Sequence, residues 1–599
     1  MNPEPPNAFD AKPLDADIVC TGFGPAMGGF LTTLTRGLQE AADQPLDSRA
    51  MPGLPPQVLC YERADDIAFG VSGVVTRARA IRASFPELNA DEIPMAARVS
   101  DEKLVYLLDP VGASRRPALM KLADQVFQAL SGVLHVEHQG FALPYCPDFL
   151  HKKDGFVFSL GQFNQWVGQQ VMMTGLAQIW PSTPVAGPLM EDGKVAGVVL
   201  AGDGTEVRAA LTVVGDGPVG QVSRRLDEMV GMPEGHERDE WAVGMKMVID
   251  LPESCELEEG TVFHTIGYPE PEIFGFFYVH PGRVASVGIF VPSWLESPVR
   301  TAYRYLQHFV QHPYLWRYVK GGRLRSWGAK SLLEAGRRGE PFLAGDGYAR
   351  IGEGSGSTNV LTGSGVDEAW LTGVQLGEAV LEMYREGLPF TQGNLEARYV
   401  ARRRKSWLEQ ESKVAEKARN GFQRGVIEGF LGMGLAGMTG GSLFMPRPRE
   451  DKKPRRAEDF YVGRLSRSEI ERAKERAERE GRPLHDLLMD LCGWPQIEYD
   501  GEVLVSHQDA LLMGGKVQAP PEFADHVVFR QAQVCRECET HLCVEICSGE
   551  AIHVAAEDPG GTPAFDREKC VHCGACLWNC PDSNIEFSAA PGGLHSAEN

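Results

Sequence analysis

The sequence predicts an α/β protein in which a Rossmann-like nucleotide-binding fold is followed by a small, cysteine-rich α+β domain. Three observations lead to this prediction. A chain of 599 residues is too long for one hydrophobic core and should divide into several domains. Near the N-terminus, "ADIVCTGFGPAMGGFLTTLTRGL" runs from a β-branched strand through a glycine turn into a helical pattern. Near the C-terminus, eight of the 13 cysteines fall between Cys535 and Cys580.

Charge and cysteine usage exclude some classes of protein. The formal net charge of −22 argues against nucleic-acid binding, because neutralising phosphates requires a basic surface. The opening residues, "MNPEPPNAFDAKPLDADIVC", lack the basic start and apolar run of a secretory signal, so we expect a reducing cytosol. Disulfide frameworks are rare there. A disulfide staple is therefore the least favoured use of the clustered cysteines, and metal binding is favoured.

The clustered cysteines predict two iron–sulfur sites. The last four follow the spacing C-x2-C-x2-C-x3-C-P of the bacterial ferredoxin run, and the four before them follow a widened version, C-x2-C-x4-C-x3-C, with Ser548 in place of the final proline. The fourth cysteine of such a run binds the other cluster. The first cysteine set is therefore Cys535, Cys538, Cys543 and Cys580, and the second cysteine set is Cys547, Cys570, Cys573 and Cys576. Each set is predicted to hold one [4Fe–4S] cluster, with zinc bound by C-x2-C pairs as the alternative.

The N-terminal strand, turn and helix predict a dinucleotide site. Gly22 and Gly24 allow a tight turn and let a pyrophosphate approach the helix N-terminus. Met27 stands where a third glycine is expected, so the close contact between helix and strand is predicted to shift to Gly28. The second strand, "QVLCYERADD", leads into Glu62, the acid that such folds place against the adenosine ribose. A purely structural glycine turn is the alternative.

Two later segments, 211–226 and 350–384, add glycine-rich connections. The second passes from a strand through "EGSGSTNVLTGSG" into an amphipathic helix. This arrangement predicts that backbone amides and Glu353 face the ribityl chain and pyrophosphate of a flavin. An ordinary glycine-rich connection is the alternative.

Several motifs resemble the electron-transfer flavoprotein–ubiquinone oxidoreductases and their nitrogen-fixation relatives, over about residues 17–387 and again in the tail. "YERADDIAFGVSG" resembles the family's acid-ended strand and Ser-Gly segment near the flavin, and "SLGQFNQWVGQQ" resembles its Leu-to-Trp helix. "RLRSWGAKSLLEAG" resembles its R-x-x-x-x-G-A-[RK]-x-L-x-E-G-G stretch, whereas "GFGPAM" departs from its G-x-G-P-A-G. The resemblance implies noncovalently bound FAD. The residues expected to hold it are Gly22, Gly24, Pro25, Ala26, Glu62, Arg63, Ser72, Gly73, Asp216, Gly352, Glu353, Gly365 and Val366.

The same resemblance implies a reaction and partners. Members pass electrons from reduced electron-transfer flavoprotein to the membrane quinone pool, and "PEIFGFFYVHPGR" (271–283) resembles the strand that lines their quinone pocket. They carry one cluster, whose ligands match the second cysteine set, so this chain resembles a two-cluster variant. Two alternatives stay open: reduction of an isoprenoid double bond, as in related geranylgeranyl reductases, and a non-catalytic electron-wiring subunit. No catalytic acid or base stands out in the sequence.

An apolar, glycine-rich segment at 425–445 predicts contact with a membrane. Its only charge is Glu428, but seven glycines disfavour a spanning helix, so we expect an interfacial segment. The basic runs 401–405 and 446–456 flank it and predict docking on anionic lipid headgroups. A glycine-rich core hairpin is the alternative. By resemblance, residues 421–446 make the chain a peripheral protein on the cytoplasmic face of the inner membrane.

These interpretations give a domain order. We expect an FAD-binding domain in two parts (15–234 and 326–400), an inserted quinone or substrate sheet domain (235–325), a membrane-associated segment with basic flanks (401–456), a helical connector (457–519) and a ferredoxin-like domain for two [4Fe–4S] clusters (520–590). In the connector, "LSRSEIERAKERAEREG" predicts a charged helix with Ser468 as its N-cap.

Overall fold

The computed structural model describes residues 14–588, apart from 42–45, 68–72, 87–91, 94–95, 153, 298–302, 450–451, 454, 456, 462, 514–524, 539, 556 and 559. Strands and helices alternate in the N-terminal part, antiparallel strands follow in the middle, and short helices lead into the cysteine-rich tail. The fold is therefore of the α/β type, as predicted.

The strands, in chain order, are β1 Leu14–Thr21, β2 Val58–Tyr61, β3 Val74–Thr76, β4 Ala97–Arg98, β5 Asp101–Leu107, β6 Gly140–Ala142, β7 Phe156–Phe158, β8 Gln178–Trp180, β9 Val185–Glu191, β10 Lys194–Leu200, β11 Glu206–Val214, β12 Trp241–Asp250, β13 Thr261–Ile266, β14 Phe274–His280, β15 Val284–Pro292, β16 Arg323–Leu333, β17 Ala344–Gly345, β18 Tyr348–Arg350, β19 Val527–Phe529, β20 Ile552–His553, β21 Ala564–Phe565 and β22 Ile585–Phe587.

The helices are α1 Pro25–Glu40, α2 Arg79–Ser84, α3 Ala118–Ala129, α4 Ser131–Leu134, α5 Leu160–Met173, α6 Gln221–Val230, α7 Tyr303–Val310, α8 Pro313–Val319, α9 Val366–Arg385, α10 Gln392–Leu395, α11 Ala401–Arg404, α12 Trp407–Arg419, α13 Val426–Met438, α14 Ala457–Phe460, α15 Arg467–Glu480, α16 Leu484–Leu491, α17 His507–Leu512, α18 Ala532–Glu537, α19 Leu542–Glu545 and α20 Ala575–Asn579.

The first sheet has eight strands, with β1 near its centre. Its order is β17-β18-β11-β1-β2-β8, and the β9–β10 hairpin joins it through β11. β1 runs parallel to β11 and β2, and Ile18, Val19 and Cys20 are all fully buried, as expected of a strand covered on both faces. Since parallel strands end at the same edge, the turns after β1, β2 and β11 lie together. Ligands of doubly wound folds bind at this edge.

Glycines bring α1 and α9 into close contact. A Cβ added to Gly29 would lie 2.4 Å from the carbonyl oxygen of Trp370, and one added to Gly373 would lie 1.9 Å from that of Ala26. At Gly28, where the sequence predicted a contact with a strand, an added Cβ would meet the Trp370 ring at 2.9 Å. The prediction was therefore wrong about the partner, because the close approach is between two helices.

The second sheet has seven strands in the order β16-β12-β15-β14-β13-β5-β6. It reaches beyond the predicted 235–325 segment, because it takes β5 and β6 from earlier in the chain and extends along β16 to Leu333. Met245 and Met247 of β12 fill a core on one face with residues of α7 and α8. Lys246 lies between them in sequence and so projects from the opposite face, where its Nζ donates to the Gly73 carbonyl oxygen at 3.4 Å.

The cysteine-rich tail packs against this second sheet. Its two antiparallel pairs are β19–β22 and β20–β21. The Trp578 indole donates to Ser331 Oγ at 2.8 Å, and its ring is parallel to that of Trp241 within 3°, with centroids 6.0 Å apart. The Ser331 backbone N–H donates to the Cys573 carbonyl oxygen at 2.8 Å. The tail is thus held on β12 and β16.

The connector helix α15 begins two residues earlier than predicted. Its N-cap is Ser466, whose hydroxyl accepts from the Glu469 N–H while the Glu469 side chain reaches back to the Ser466 backbone. This reciprocal capping box satisfies two free donors, which Ser468 inside the helix cannot do. The prediction of Ser468 as N-cap was therefore wrong.

None of the helices within the described residues is both long enough and apolar enough to cross a bilayer. The apolar segment forms the 13-residue helix α13 followed by a turn.

Candidate nucleotide, iron–sulfur and membrane-facing sites

The turn after β1 leaves space in front of a helix N-terminus. Gly22 has a φ of 77°, and a Cβ there would lie 2.8 Å from the Gly215 carbonyl oxygen, so the turn requires glycine. Gly24 caps α1 in an extended conformation, and no atom lies within 4 Å of where its Cβ would be. Pro25 opens the helix without needing a partner for a backbone N–H. A pyrophosphate fits this open helix terminus.

Glu62 follows β2 and lies beside the same turn. Its Oε2 accepts the Phe23 N–H at 2.7 Å and its Oε1 accepts the Ala64 N–H at 2.9 Å. Each carboxylate oxygen keeps a further lone pair for a hydroxyl donor. The buried carboxylate is therefore placed at the ligand edge by backbone contacts, and it suits a ribose.

Asp216, after β11, is engaged within the protein. Its carboxylate accepts the N–H groups of Val222 and Ser223 at 2.8 and 3.1 Å and the Ser223 hydroxyl at 2.7 Å, which caps α6. Burial raises the pKa of Asp216. The structure thus gives this predicted FAD residue a capping role at the ligand edge.

Glu353 and its neighbouring glycine lie after β18 at the same edge. Gly352 has a φ of 73°, and a Cβ there would lie 2.9 Å from the Cβ of Ala26 in the first turn of α1. Glu353 is buried, accepts the Leu333 N–H at 2.9 Å, and has its pKa raised by burial to about 7. The backbone contact thus holds this carboxyl in the interior beside the ligand edge.

The start of α9 completes this edge of the first sheet. Gly365 is its N-cap and Val366 its first residue. The Gly352 N–H, from the loop after β18, donates to Thr372 Oγ1 of the same helix at 2.8 Å. Together with the turn after β1, the edge presents two helix N-termini, which suits an anionic dinucleotide.

Gly73 brings the first part of the chain onto the second sheet. Its φ is 85°, and an added Cβ would lie 1.8 Å from Ser286 Oγ of β15, so only glycine fits. Burial lowers the pKa of Lys246, which contacts the Gly73 carbonyl, well below its usual range. The predicted FAD residue Ser72 lies outside the described residues.

Electrostatic coupling of two buried tail thiols, Cys543 and Cys576, runs mainly within the two predicted sets. Burial raises the pKa of Cys543 to about 12, and the next contributions come from the other three members of the first cysteine set. Burial also raises the pKa of Cys576 well above its usual range. The next largest contributions to this shift come from the other three members of the second cysteine set. Coupling between the sets comes last for both thiols. Each thiol is therefore most strongly coupled to its own set.

Zinc is the alternative ion for these thiols. In a tetrahedral zinc site with Zn–S bonds of about 2.3 Å, sulfur atoms lie about 3.8 Å apart. Within the described part of the chain, the ligand atoms found mutually within 4.8 Å in a group of three belong to Glu102, Cys146 and His151 and not to tail cysteines. The assignment of one four-iron cluster to each cysteine set stays a prediction.

Polar groups surround the sulfur atoms of both sets. Ser548, which replaces the usual proline, donates its hydroxyl to Cys573 Sγ at 3.3 Å. His526 Nε2 lies 3.1 Å from Cys570 Sγ, and burial lowers the pKa of His526 to about 4, so the neutral ring can donate an N–H to the sulfur. In the first set, Asn584 donates its backbone N–H to Cys580 at 3.2 Å and its side-chain amide to Cys535 at 3.2 Å.

A direct contact joins the nucleotide edge to the second cysteine set. Arg63 follows Glu62, and its guanidinium donates to His572 Nδ1 at 3.1 Å. Burial lowers the pKa of His572 well below its usual range, which keeps Nδ1 available as an acceptor. Lys330 lies beside the same groups, and its pKa is lowered to about 8 by burial and then by Arg63. Spacing and periodicity do not predict this contact, because Arg63 and His572 are 509 positions apart in the chain.

Aromatic residues connect the apolar helix α13 to β14. Phe274, at the start of β14, packs edge-on against Phe422 and Phe430, with ring centroids 5.7 and 5.9 Å away. Phe430 belongs to α13. Farther along β14, Phe276 and Tyr278 stack at 4.7 Å. The strand that resembles a quinone-pocket strand therefore touches the segment predicted to meet the membrane.

The segment predicted to meet the membrane has an exposed apolar face. Leu431, Met438 and Leu443 are 57%, 70% and 57% exposed. Two of its glycines pack inward, because a Cβ on Gly429 would lie 2.0 Å from the Phe422 ring and one on Gly437 would lie 2.4 Å from the Phe149 ring. A core hairpin does not expose such residues, so the interfacial interpretation is favoured.

The basic run 401–405 is largely used inside the protein. Arg403 is buried and donates to Ser355, and Arg404 pairs with Glu340. Arg402 pairs with Glu382 at 2.6 Å. The prediction that this run docks on lipid headgroups was therefore wrong for the buried Arg403. For Arg402 and Arg404, whose side chains are partly exposed beside acidic partners, it stays a prediction.

The sequence analysis missed a second exposed apolar stripe, on α3. Leu119, Leu122 and Val126 are 60%, 56% and 46% exposed, and Val133 in α4 is 76% exposed. The spacing of three and four residues in "ALMKLADQVFQALSGVL" is a helical signal that reveals this stripe. Such a stripe on a surface helix is typical of a docking face.

Two family descriptions match parts of the chain. The family described as "ETF-QO, ubiquinone-binding" matches residues 241–332, which span β12 to β16. The family described as "4Fe-4S binding domain" matches residues 562–585, which contain four of the tail cysteines.

Curated relatives align with almost the whole chain. The electron transfer flavoprotein-ubiquinone oxidoreductase of Pseudomonas aeruginosa is 22% identical, over 97% of this chain and 98% of its own. The mitochondrial protein of the same name from Dictyostelium discoideum is 22% identical, over 96% of this chain and 89% of its own. Among solved structures, a geranylgeranyl bacteriochlorophyll reductase-like protein from Thermoplasma acidophilum matches with a TM-score of 0.49 and 13% identity, over 80% of this chain and 99% of that one.

The contact of His526 with Cys570 predicts an effect on one cluster. Hydrogen bonds to ligating sulfur raise the reduction potential, so His526→Leu should lower it. Losing one hydrogen bond of about 1 kcal/mol corresponds to roughly 40 mV for one electron. Redox titration followed by electron paramagnetic resonance measures this shift. His553→Leu, at an exposed position in β20, is the control and should leave the potential unchanged. Equal potentials in all three proteins would contradict the assignment.

Proposed function

We propose that this chain, a relative of the electron transfer flavoprotein-ubiquinone oxidoreductases along almost all of its length, passes electrons from reduced electron-transfer flavoprotein to a membrane quinone. The groups involved are FAD, iron–sulfur clusters and ubiquinone. A flavin supplies exchange of one or two electrons when bound, and a [4Fe–4S] cluster supplies exchange of one. The residues of the chain bind these groups, hold them apart from one another and exclude water from them.

The proposal is supported mainly by contacts that join the nucleotide edge, the second sheet and the cysteine-rich tail. Arg63 extends from the nucleotide edge to His572 in the tail, and Ser331 of β16 binds both the Cys573 backbone and the Trp578 ring. β16 belongs to the region that matches the ubiquinone-binding family. A flavin edge, a quinone-type sheet and a cysteine set in mutual contact support electron exchange among all three.

At the flavin, we assign binding roles to residues at the ligand edge. Gly24 and Pro25 offer the N-terminus of α1 to the pyrophosphate, and the carboxylate of Glu62 accepts ribose hydroxyls. Gly365 offers the N-terminus of α9. The Gly73 backbone lies on the second sheet, where close packing excludes water. These assignments are supported by the open space at Gly24 and by the remaining lone pairs of Glu62.

On the quinone side, the chain offers an apolar route from lipid to sheet. The exposed face of α13 meets the bilayer surface, and Phe430 and Phe274 continue inward from it to β14. An isoprenoid quinone is apolar along its tail, so this route suits it. The bound protein is peripheral, on the inner membrane.

The proposed reaction is tested with purified protein in liposomes. Reduced electron-transfer flavoprotein and a ubiquinone analogue are the substrates, and quinone reduction is followed spectroscopically. We expect turnover that depends on both substrates. A preparation with full flavin and iron content that reduces no quinone, with or without added membrane, would contradict the proposal.

Loss of the Glu62 carboxylate should weaken FAD binding. A charge-assisted hydrogen bond is worth about 1.5–3 kcal/mol, so Glu62→Gln should raise the dissociation constant about tenfold or more. Fluorescence titration of flavin-depleted protein measures this constant. Asp65→Asn, at an exposed acid three residues away, is the matched control. If both variants bind FAD like the unmodified chain, the ribose contact lies elsewhere.

We further propose that the tail holds two [4Fe–4S] clusters, one on each cysteine set. Anaerobically prepared protein should contain about eight irons per chain and show two cluster signals on reduction. Cys538→Ala removes a ligand from the first set and should abolish one signal while sparing the other. Cys492→Ala, outside both sets, is the control. An iron content near four, unchanged by Cys538→Ala, would contradict the proposal.

The exposed face of α13 is proposed to hold the chain on the membrane. Replacing Leu431, Leu435 and Met438 together with Asp should release the protein from liposomes, because burying three carboxylates in lipid is unfavourable. Sedimentation with vesicles at high salt measures binding. Leu512→Asp, at a residue 72% exposed on α17, is the control. A triple variant that still sediments, with normal flavin content, would move the docking surface away from α13.

A further inference from the structure

A cluster of metal-ligating side chains lies outside the nucleotide edge and the cysteine-rich tail. A carboxylate oxygen of Glu102, the Cys146 sulfur and a His151 ring nitrogen lie mutually within 4.8 Å. Glu102 is in β5, and the other two follow β6 in the connection to β7. We propose that these three residues form a binding site for a transition-metal ion of the Zn²⁺ class.

The ligand set selects the class of ion. One oxygen, one nitrogen and one sulfur ligand suit Zn²⁺, whereas Mg²⁺ and Ca²⁺ prefer oxygen alone. Bond lengths of about 2.0–2.3 Å place tetrahedral ligands about 3.3–3.8 Å apart, so the three atoms need to close by less than about 1.5 Å. A fourth position stays open for water, as in sites with three protein ligands.

The second layer of contacts already orients the carboxylate. Glu102 has a side chain 1% exposed, and its Oε1 accepts from His264 Nε2 at 2.7 Å. Its Oε2 accepts the Lys152 N–H at 2.6 Å and also contacts His151 Nδ1. These contacts hold the Glu102 carboxylate in one position before an ion binds.

The charges of the ligands suit a divalent ion. Cysteine binds a metal as the thiolate, so binding releases the proton of the Cys146 thiol. Two anionic ligands, Glu102 and the Cys146 thiolate, then neutralise a +2 charge. The His151 side chain is 39% exposed, which gives the ion a way in from solvent.

The site adjoins the flavin-facing loop through one residue. Lys152 follows His151 and is fully buried, and its Nζ donates to the carbonyl oxygens of Leu150 and Thr362. Thr362 lies three residues before Gly365, the N-cap of α9. A bound ion therefore fixes the chain beside a loop that contributes to the ligand edge.

The test uses the full chain, prepared anaerobically so that the tail cysteines hold their clusters. Alkylation of Cys146 by iodoacetamide is followed by peptide mass spectrometry with and without Zn²⁺. Since the free sulfur is both the nucleophile and the ligand, Zn²⁺ should slow the reaction at Cys146 by about tenfold or more. Cys255, a half-buried thiol elsewhere, is the internal control and should be unaffected.

Zinc content separates this site from binding elsewhere. After equilibration with Zn²⁺ and desalting, the unmodified chain should retain about one more zinc ion than His151→Gln or Cys146→Ser. His151→Gln changes a partly exposed side chain, so the fold should survive, and flavin content checks this. Equal zinc content in all three proteins would overturn the proposal, and so would an alkylation rate of Cys146 that is the same with and without Zn²⁺.

Discussion

The contact between the nucleotide edge and the cysteine-rich tail sets the arrangement of this molecule. The hydrogen bond between Arg63 and His572 joins residues 509 positions apart and links the acid-ended strand of the nucleotide sheet to the second cysteine set. Two ion pairs reinforce it on the outside, one between Glu586 of β22 and Arg225 of α6 at 2.7 Å, the other between Arg530 of the tail and Glu228 of α6 at 2.6 Å. Together with the contacts that Cys573 and Trp578 make with Ser331, they hold the tail in a fixed place beside the nucleotide edge.

Local spacing predicted the parts of each site that lie close together in the chain. Gly22, Gly24 and Glu62 mark the turn and strand end of the nucleotide edge, because backbone geometry there needs those residue types. The cysteine runs likewise predict two sets of four from spacing alone. In both cases the residues that predict the site lie within short segments.

Contacts between distant segments could not be predicted in this way. The arginines of 401–405 resembled a headgroup-binding run, but Glu340 and Glu382 neutralise two of them from elsewhere in the fold. The contact of Gly28 with Trp370, and the meeting of Glu102, Cys146 and His151, likewise arise only from tertiary packing. Composition and periodicity indicate the residue types and the local elements, whereas the contact partners of each side chain depend on the topology of the fold.

The coupling of the flavin edge to the second cysteine set is tested most directly by measuring the rate of electron transfer between them. In anaerobic stopped-flow experiments, reduced electron-transfer flavoprotein is mixed with the unmodified chain, Arg63→Met and His572→Leu, and flavin and cluster absorbance are followed together. We expect slower equilibration in both variants at unchanged flavin and iron content, because each variant loses the same contact from opposite sides. Equal rates in all three proteins would contradict it.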